Sequence, residues 1–360
     1  MSYTSFGVND TNAAKLWSKA LAKSERDTLD ISPLMGDDDE AVIHVKEETE
    51  KGPGDKVTFS LRARMQQDGF TESETAEGNG EALTFFADAI YINELGSVAS
   101  SKSENTIDQQ RVPFELRQQC KNGLSEWWKS RKSVTFFNQV CGYTPQTNVK
   151  YTGNNAVSAP AGTSDLVRIV RPSTHTTDEA ITSNDVMAPS LIDKAVSAAR
   201  TGDQMVRQIS VGGQTKYVSY MSEDHVVSLR AATATGSWAD IQNFAFSGVD
   251  VSKNPLYNGA LGELNGVILR RSQDVRPGVH SSSGASETDV RRAVLLGAQA
   301  AACAYGRKGD YKDKKYRWNE ELLDHKRNLE VSAWQIWGLK KTVFNSVDYG
   351  TVVMSAYAAK

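Results

Sequence analysis

Histidine and cysteine are both scarce in this 360-residue chain. His44, His175, His225, His280 and His325 stand singly, with no i, i+4 partner and no nearby cysteine, so no metal-ligand spacing is present. Cys120, Cys141 and Cys303 are odd in number, lack a CxxC spacing and lie in apolar surroundings, which argues against a disulfide framework and predicts reduced core thiols. No G-x-S-x-G elbow, H-E-x-x-H zinc helix or G-x-x-x-x-G-K-[ST] phosphate loop occurs. GPGDK at Gly52–Lys56 precedes a strand where a phosphate loop must follow one, so it reads as a turn leading into a hairpin. The acidic run GDDDE at Gly36–Glu40 lacks the alternating spacing of a calcium loop and reads as a solvated turn. The carboxylate pairs Glu47/Glu48 and Glu320/Glu321 are adjacent, so their side chains point apart. Catalytic, metal and cofactor sites are therefore all predicted to be none.

Long apolar runs are missing too. The longest, AVLLGAQAAACAY at Ala293–Tyr305, falls short of the ~20 residues of a membrane span, and the polar N-terminus carries no secretory apolar segment. A soluble intracellular product with no membrane partner is expected. Excess charge of one sign is absent as well: the formal net charge is −3, against a surface built wholly to clamp nucleic acid, although one basic face stays compatible with it.

What the chain does have is an ordinary globular composition, 39% hydrophobic and 24% charged, and a length sufficient for two lobes with their own cores. Its organising stretch runs from Val112 to Tyr143. Leu116, Cys120, Leu124, Trp127, Val134, Phe137 and Cys141 recur there at three-, four- or seven-residue steps, the signature of one long amphipathic helix. Pro113 suits its first turn, and Gly142 followed by Pro145 suits its end. Leu116, Leu124, Trp127 and Phe137 are the expected core contacts of this spine.

Ahead of it, Val57, Phe59, Leu61, Ala63 and Met65 alternate with polar residues in a half-buried strand. Gly69 and Gly78–Gly80 mark a tip, and LTFFADAIYINEL from Leu83 returns, giving a long hairpin. A ribbon with one apolar face is marginal alone, so Val57, Phe59, Leu61 and Met65 are expected to contact another subunit; folding back on its own chain is the other reading. At the N-terminus, Lys15, Lys19, Lys23 and Arg26 line one stripe of a short helix. That stripe is either a basic arm toward nucleic acid or an acidic partner, or a solvated face.

After the spine, residues 144–162 cross to a second lobe. Strands are expected at 166–170, 216–221 and 266–271, a helix over Ile181–Arg200 capped by Ser183 or Asn184, a helix or strand over 224–231, a helix at SWADIQNFA and a mobile polar loop over 276–288. Ala293–Tyr305 is a buried strand pair or a buried helix, which periodicity cannot separate. LEVSAWQIWGLKKTVF and DYGTVVMSAY close the chain as two strands around a turn at 345–348, with the spine as their natural partner, making one lobe discontinuous.

This order of arm, hairpin, spine, second lobe and returning strands resembles the Hong Kong 97-type fold of tailed-phage major capsid proteins. TSFGVNDTNAAKLWSKAL, KGPGDKVTFSLRARM, EGNGEALTFFADAIYI, QRVPFELRQQCKNGLSEWW and FFNQVCGYTPQTNVKYTGNN are similar to that family, essentially over the whole chain. The resemblance implies an α+β fold with an N-terminal arm at 1–45, an E-loop hairpin at 46–91, a P-domain at 92–174 including the spine at 112–143, an A-domain at 175–310 and P-domain return strands at 311–360. It implies no enzyme and no cofactor. The implied role is a head protein that self-assembles as hexamers and pentamers into an icosahedral virion shell around double-stranded DNA, made in the bacterial host cytoplasm. The implied partners are further copies of the chain, a portal protein and packaged DNA, with a decoration protein on the outside left open. Only about 45 residues precede the hairpin, which implies a separate scaffolding protein rather than a fused segment. Lys46, Lys51 and Lys56 lie at the hairpin base, but no cross-linking asparagine is identified for them. An encapsulin-like compartment shell and an α+β enzyme with a convergent site are the competing readings.

Overall fold

The computed structural model describes residues 18, 20–21, 31–38, 40–46, 55–62, 65, 67–83, 85–104, 106–201, 204–211, 213–231, 260–306 and 315–358. Along the chain, β1 (Ile43–Lys46) precedes the ribbon strands β2 (Lys56–Arg62) and β3 (Phe85–Tyr91), then β4 (Asn93–Lys102), α1 (Ile107–Arg111) and the spine α2 (Leu116–Val140). The second lobe supplies α3 (Pro189–Arg200), β5 (Gln214–Met221), α4 (Glu223–Ala231), β6 (Val267–Arg271) and β7 (Ser286–Leu296). β8 (Ala301–Tyr305), β9 (Arg317–Leu323), β10 (Asn328–Lys341) and β11 (Thr351–Tyr357) follow.

The spine is shorter than expected, twenty-five residues or about 38 Å. A residue before proline is driven out of the helical region, and Val112 is extended at φ −112°, so the helix cannot run through Pro113. The chain instead makes α1, breaks, and restarts at Leu116. The Gln109 side chain bridges the break, accepting from the Leu116 N–H at 3.0 Å and donating to the Phe114 carbonyl at 2.8 Å. The C-terminal stop is as the sequence predicts: Gly142 takes φ +62°, Tyr143 N–H donates to Asn138 O and Gly142 N–H to Gln139 O, a Schellman motif. Leu124 and Phe137 are buried, Leu116 and Trp127 only partly so. The central tryptophan is Trp128, fully buried against Tyr316 and Trp337 at centroid distances of 5.2 and 6.3 Å.

Two sheets flank the spine. In the first, β10 is central: β4 pairs along Asn93–Lys102, β9 pairs with its first half, and β8, followed by β1, pairs with its second half. In the second, β11 lies between Ile169–Val170 and β7, and β5, β6 and Ala260–Leu264 continue the sheet. Alternation divides that second sheet's faces. Val218, Tyr220, Val294, Leu296 and Val353 join the spine's cluster. Tyr217, Met221, Leu295, Val352 and Met354 turn the other way onto α3 and α4.

Several expected boundaries move. Ala293–Tyr305 is a strand pair, but β7 and β8 belong to different sheets. The closing strands likewise do not pair with each other: β10 centres the first sheet and β11 enters the second. The turn itself is where expected, with Asn345 and Ser346 both at positive φ between the short paired strands Val343–Phe344 and Val347–Asp348. From β7 onward the chain thus crosses between sheets twice, at 297–300 and 342–350, and the crossings are stitched by Gly297 N–H to Gly350 O at 2.9 Å and Thr342 N–H to Ala300 O at 3.2 Å. The helix expected from Ile181 begins only at Pro189, which opens the first turn. Residues 224–231 lie within a helix. The polar loop at 276–288 is tied down: Pro277–Val279 pairs with β7, and the Ser281 N–H donates to Glu179. The segment SWADIQNFA lies outside the described residues.

Candidate functional site

The ribbon β2–β3 pairs in strict antiparallel register, from Lys56 opposite Tyr91 to Arg62 opposite Phe85. Its two ends are treated very differently. At the base, Val57 is buried and Phe59 partly buried in a cluster with Ile90, Ile92, Ala302, Ala304 and Ile336 of the same chain. These two residues, expected to touch another subunit, instead fasten the ribbon to its own first sheet, where the small side chains of β8 leave room for them. Asn155 locks the same point: its Oδ1 accepts from Tyr91 N–H at 2.9 Å, and its Nδ2 donates to Tyr91 O at 3.1 Å and Leu339 O at 3.2 Å. Lys340 pairs with Asp88, and Gly338 lets the Tyr91 carbonyl approach where a Cβ would stand only 2.1 Å from its oxygen.

Beyond the base, none of the ribbon's described side chains joins a core cluster. Of fourteen large apolar side chains left exposed among the described residues, five lie on the ribbon between Met65 and Tyr91, including Phe70, Leu83 and Phe85. Apolar surface concentrated on one projecting element marks a surface that buries itself elsewhere. Met65 is 52% exposed; the Leu61 side chain lies outside the described residues.

Buried charge holds the platform beneath the ribbon. Lys341 and Asp348, both fully buried, pair at 2.9 Å, and Lys341 also donates to Ser158 O and Ala159 O. Burial pushes the lysine down and the aspartate up from their ordinary pKa ranges, opposed in each case by the partner's charge. Arg168 donates to Asp348 O at 2.8 Å. Near the end of the spine, Arg292 caps the carbonyls of Cys141 and Gly142 while its other nitrogens grip Asp178 at 2.7–2.8 Å. Burial of Asp178 opposes ionisation, yet Arg292 and Arg171 outweigh it and hold the carboxyl below its usual range. Lys132 sits 5.3–5.8 Å from the rings of Trp128, Tyr305, Tyr316 and Trp337, a buried cation within aromatic faces. These buried charges have no periodic signal, so sequence reasoning misses them; only their setting in apolar runs hints at burial.

A projecting ribbon, a spine, and two sheets sharing a discontinuous chain define this molecule, and its sequence matches the family described as phage capsid protein over residues 5–360. The chain belongs to the phage capsid protein family. The capsid chain is 24% identical over 383 residues to the major capsid protein of Pseudomonas phage KPP25, covering 99% of this chain and 98% of the relative. Among solved structures it is similar to the capsid of Ralstonia phage GP4, with a TM-score of 0.77, 28% identity and coverage of 100% and 99%. It also resembles the capsid of cyanophage Pam1, with a TM-score of 0.69, 18% identity and coverage of 91% and 92%. The fold is the Hong Kong 97 type, and the chain is the major capsid protein of a tailed phage, a structural subunit whose copies form the virion shell.

The remaining expected features of the capsid protein fall as follows. Lys15, Lys19, Lys23 and Arg26 lie outside the described residues, although Ser18 and Leu21 beside them are buried and helical, Ser18 Oγ donating to Tyr316 O at 2.7 Å. Among the described residues no group of His, Cys, Asp and Glu could hold a metal, and no helix is long and apolar enough to cross a membrane. The three cysteines are buried and none forms a disulfide, and burial pushes the Cys141 thiol up to about 11.

His225 is wholly buried on α4, with Nε2 3.4 Å from Ala356 O and Nδ1 lacking a partner among the described residues. Burial lowers its pKa to about 4, against the raising pull of Ala356 O and Asp224. An unfolded histidine titrates near 6.5, so between the two values the unfolded chain binds more protons and stability falls as pH falls. The loss should reach about 3 kcal/mol by pH 4. Urea midpoints of the capsid subunit at pH 7 and pH 5 should differ accordingly, and His225→Phe should flatten that component; an equal slope in the variant refutes it.

Proposed function

We propose that the chain assembles as hexamers and pentamers into an icosahedral shell enclosing double-stranded DNA, each subunit laying its ribbon across a neighbour. The observation that carries this reading is the ribbon's asymmetry: a base locked into its own sheet and a far end bearing exposed Phe70, Leu83 and Phe85. Many modest contacts of that kind sum to a stable closed assembly. A separate scaffolding protein and a portal protein take part in assembly, which happens in the host cytoplasm. The stripe Lys15, Lys19, Lys23 and Arg26 faces the scaffold or the DNA.

Phe70→Asp with Phe85→Asp should leave a soluble subunit with an unchanged melting transition. Particle yield, measured by sedimentation after co-expression with the upstream gene, should fall at least about tenfold, since a lost anchor costs roughly 2 kcal/mol. Wild-type yield would remove the ribbon from the interface. Nuclease-protected DNA of genome length in particles from infected cells distinguishes a phage head from a compartment filled with protein cargo.

A further inference from the structure

Four asparagines of this chain are followed by glycine: Asn79, Asn122, Asn258 and Asn265, of which Asn258 lies outside the described residues. Such a pair sets an electrophilic carboxamide carbon beside a backbone nitrogen that no Cβ shields, so the fold decides whether the two can meet. Two of the three described pairs are held apart. Asn122 and Gly123 lie within the spine, where the helical ladder engages the backbone N–H groups, and Asn122 Oδ1 accepts from Gln118 Nε2 at 3.0 Å. Asn265 and Gly266, at φ +49° and +74°, form the tight turn between the paired strands Ala260–Leu264 and β6, and Asn265 Nδ2 donates to Asp193 at 3.1 Å.

The third pair is open. Asn79 and Gly80 sit at the ribbon's far end, within the stretch 67–83, every residue of which is exposed and outside helix and strand. The Gly80 N–H has no hydrogen-bond partner among the described residues, and a Cβ at Gly80 would meet nothing within 4 Å. The Asn79 carboxamide is tethered through Nδ2 to Thr75 O at 2.9 Å, a contact inside the same exposed stretch. Yet the Asn79 main chain belongs to a clasp that joins the two limbs of the ribbon: its carbonyl accepts from Gln67 Nε2 at 2.8 Å, Gln67 N–H donates to Glu81 at 2.8 Å, and Glu81 N–H donates to Gln67 Oε1 at 3.3 Å.

We infer that Asn79 is a site of spontaneous deamidation in the folded chain, which changes the charge and the closure of the ribbon's far end as the protein ages. The Gly80 nitrogen gives its proton to solvent and attacks Asn79 Cγ; the N–Cγ bond forms, the Cγ–Nδ2 bond breaks and ammonia leaves with the proton it needs from water. Water then opens the cyclic imide at either carbonyl, giving aspartate or isoaspartate, with nothing oxidised or reduced. Either product adds a carboxylate beside Asp68, Glu72, Glu74, Glu77 and Glu81, in a stretch with no lysine or arginine between Arg64 and Lys102. Isoaspartate also lengthens the main chain by one carbon inside the clasp, which pulls the Asn79 carbonyl away from Gln67.

The test is peptide mass spectrometry of the purified full chain aged in mildly alkaline buffer, with isoaspartate separated from aspartate by chromatography and circular dichroism showing that the chain stays folded. Asn79 should gain one mass unit at least about tenfold faster than Asn122 or Asn265, because those two must first open locally. Gly80→Ala places its Cβ in open space, so the fold should be kept and conversion of Asn79 slowed by at least about tenfold. Conversion of Asn122 or Asn265 as fast as Asn79 overturns the inference, and so does an Asn79 that ages no faster in the parent chain than in the Gly80→Ala chain.

Discussion

Asp348→Ala is expected to destabilise the folded subunit by about 3–5 kcal/mol, the range for removing one partner of a buried ion pair. Lys341 would keep its hydrogen bonds to Ser158 O and Ala159 O but would lose the carboxylate it pairs with among the described residues. The penalty comes from a stranded ammonium in a dry site rather than from lost contact area, so it is relieved by removing the ammonium as well. Lys341→Met combined with Asp348→Ala should therefore recover most of the loss. Urea unfolding of the isolated subunit measures both, and a double variant as unstable as the single one would contradict the account.

Gly338→Ala should have an effect of a different kind. A Cβ at this position would lie 2.1 Å from the Tyr91 carbonyl oxygen and 3.1 Å from Ile90 Cγ2, so β3 must lift from β10. Overpacking of this sort costs typically 1–3 kcal/mol, which leaves the subunit folded. The ribbon's direction, however, is set by this contact together with Asn155 and Lys340. A small shift at the base moves the far end a long way, so particle formation should fail nearly completely while the melting temperature drops only a few degrees. Normal particles from this variant would show that the base does not aim the ribbon.

Local patterns were the legible part of the molecule. The strict alternation through Val57 and Phe59 predicted a strand, and Gly142 predicted the spine's end because a left-handed stop needs glycine. What stayed hidden follows from what a local pattern lacks. Adjacent tryptophans differ by one helical step of about 100°, and both fit an amphipathic face, so only the partners Tyr316 and Trp337 single out Trp128 over Trp127. The alternation at the ribbon's base could not say whose core it enters, since own sheet and neighbour offer the same apolar surface. Sheet membership was equally hidden: β7 and β8 read as one apolar run, and the separation of the sheets appears only in non-local pairings, such as Cys303 with Leu339 and with Val45.

The double crossing at 297–300 and 342–350 has a kinetic meaning. β11 is an inner strand of the second sheet, and β10 is the central strand of the first, yet each lies C-terminal to every strand it pairs with. Neither lobe can close early, because each waits for a strand made late, and pairings of such high sequence separation form slowly. A chain cut short ahead of Asn328 would therefore lack the central strand of one sheet and an inner strand of the other, and neither sheet could close without them.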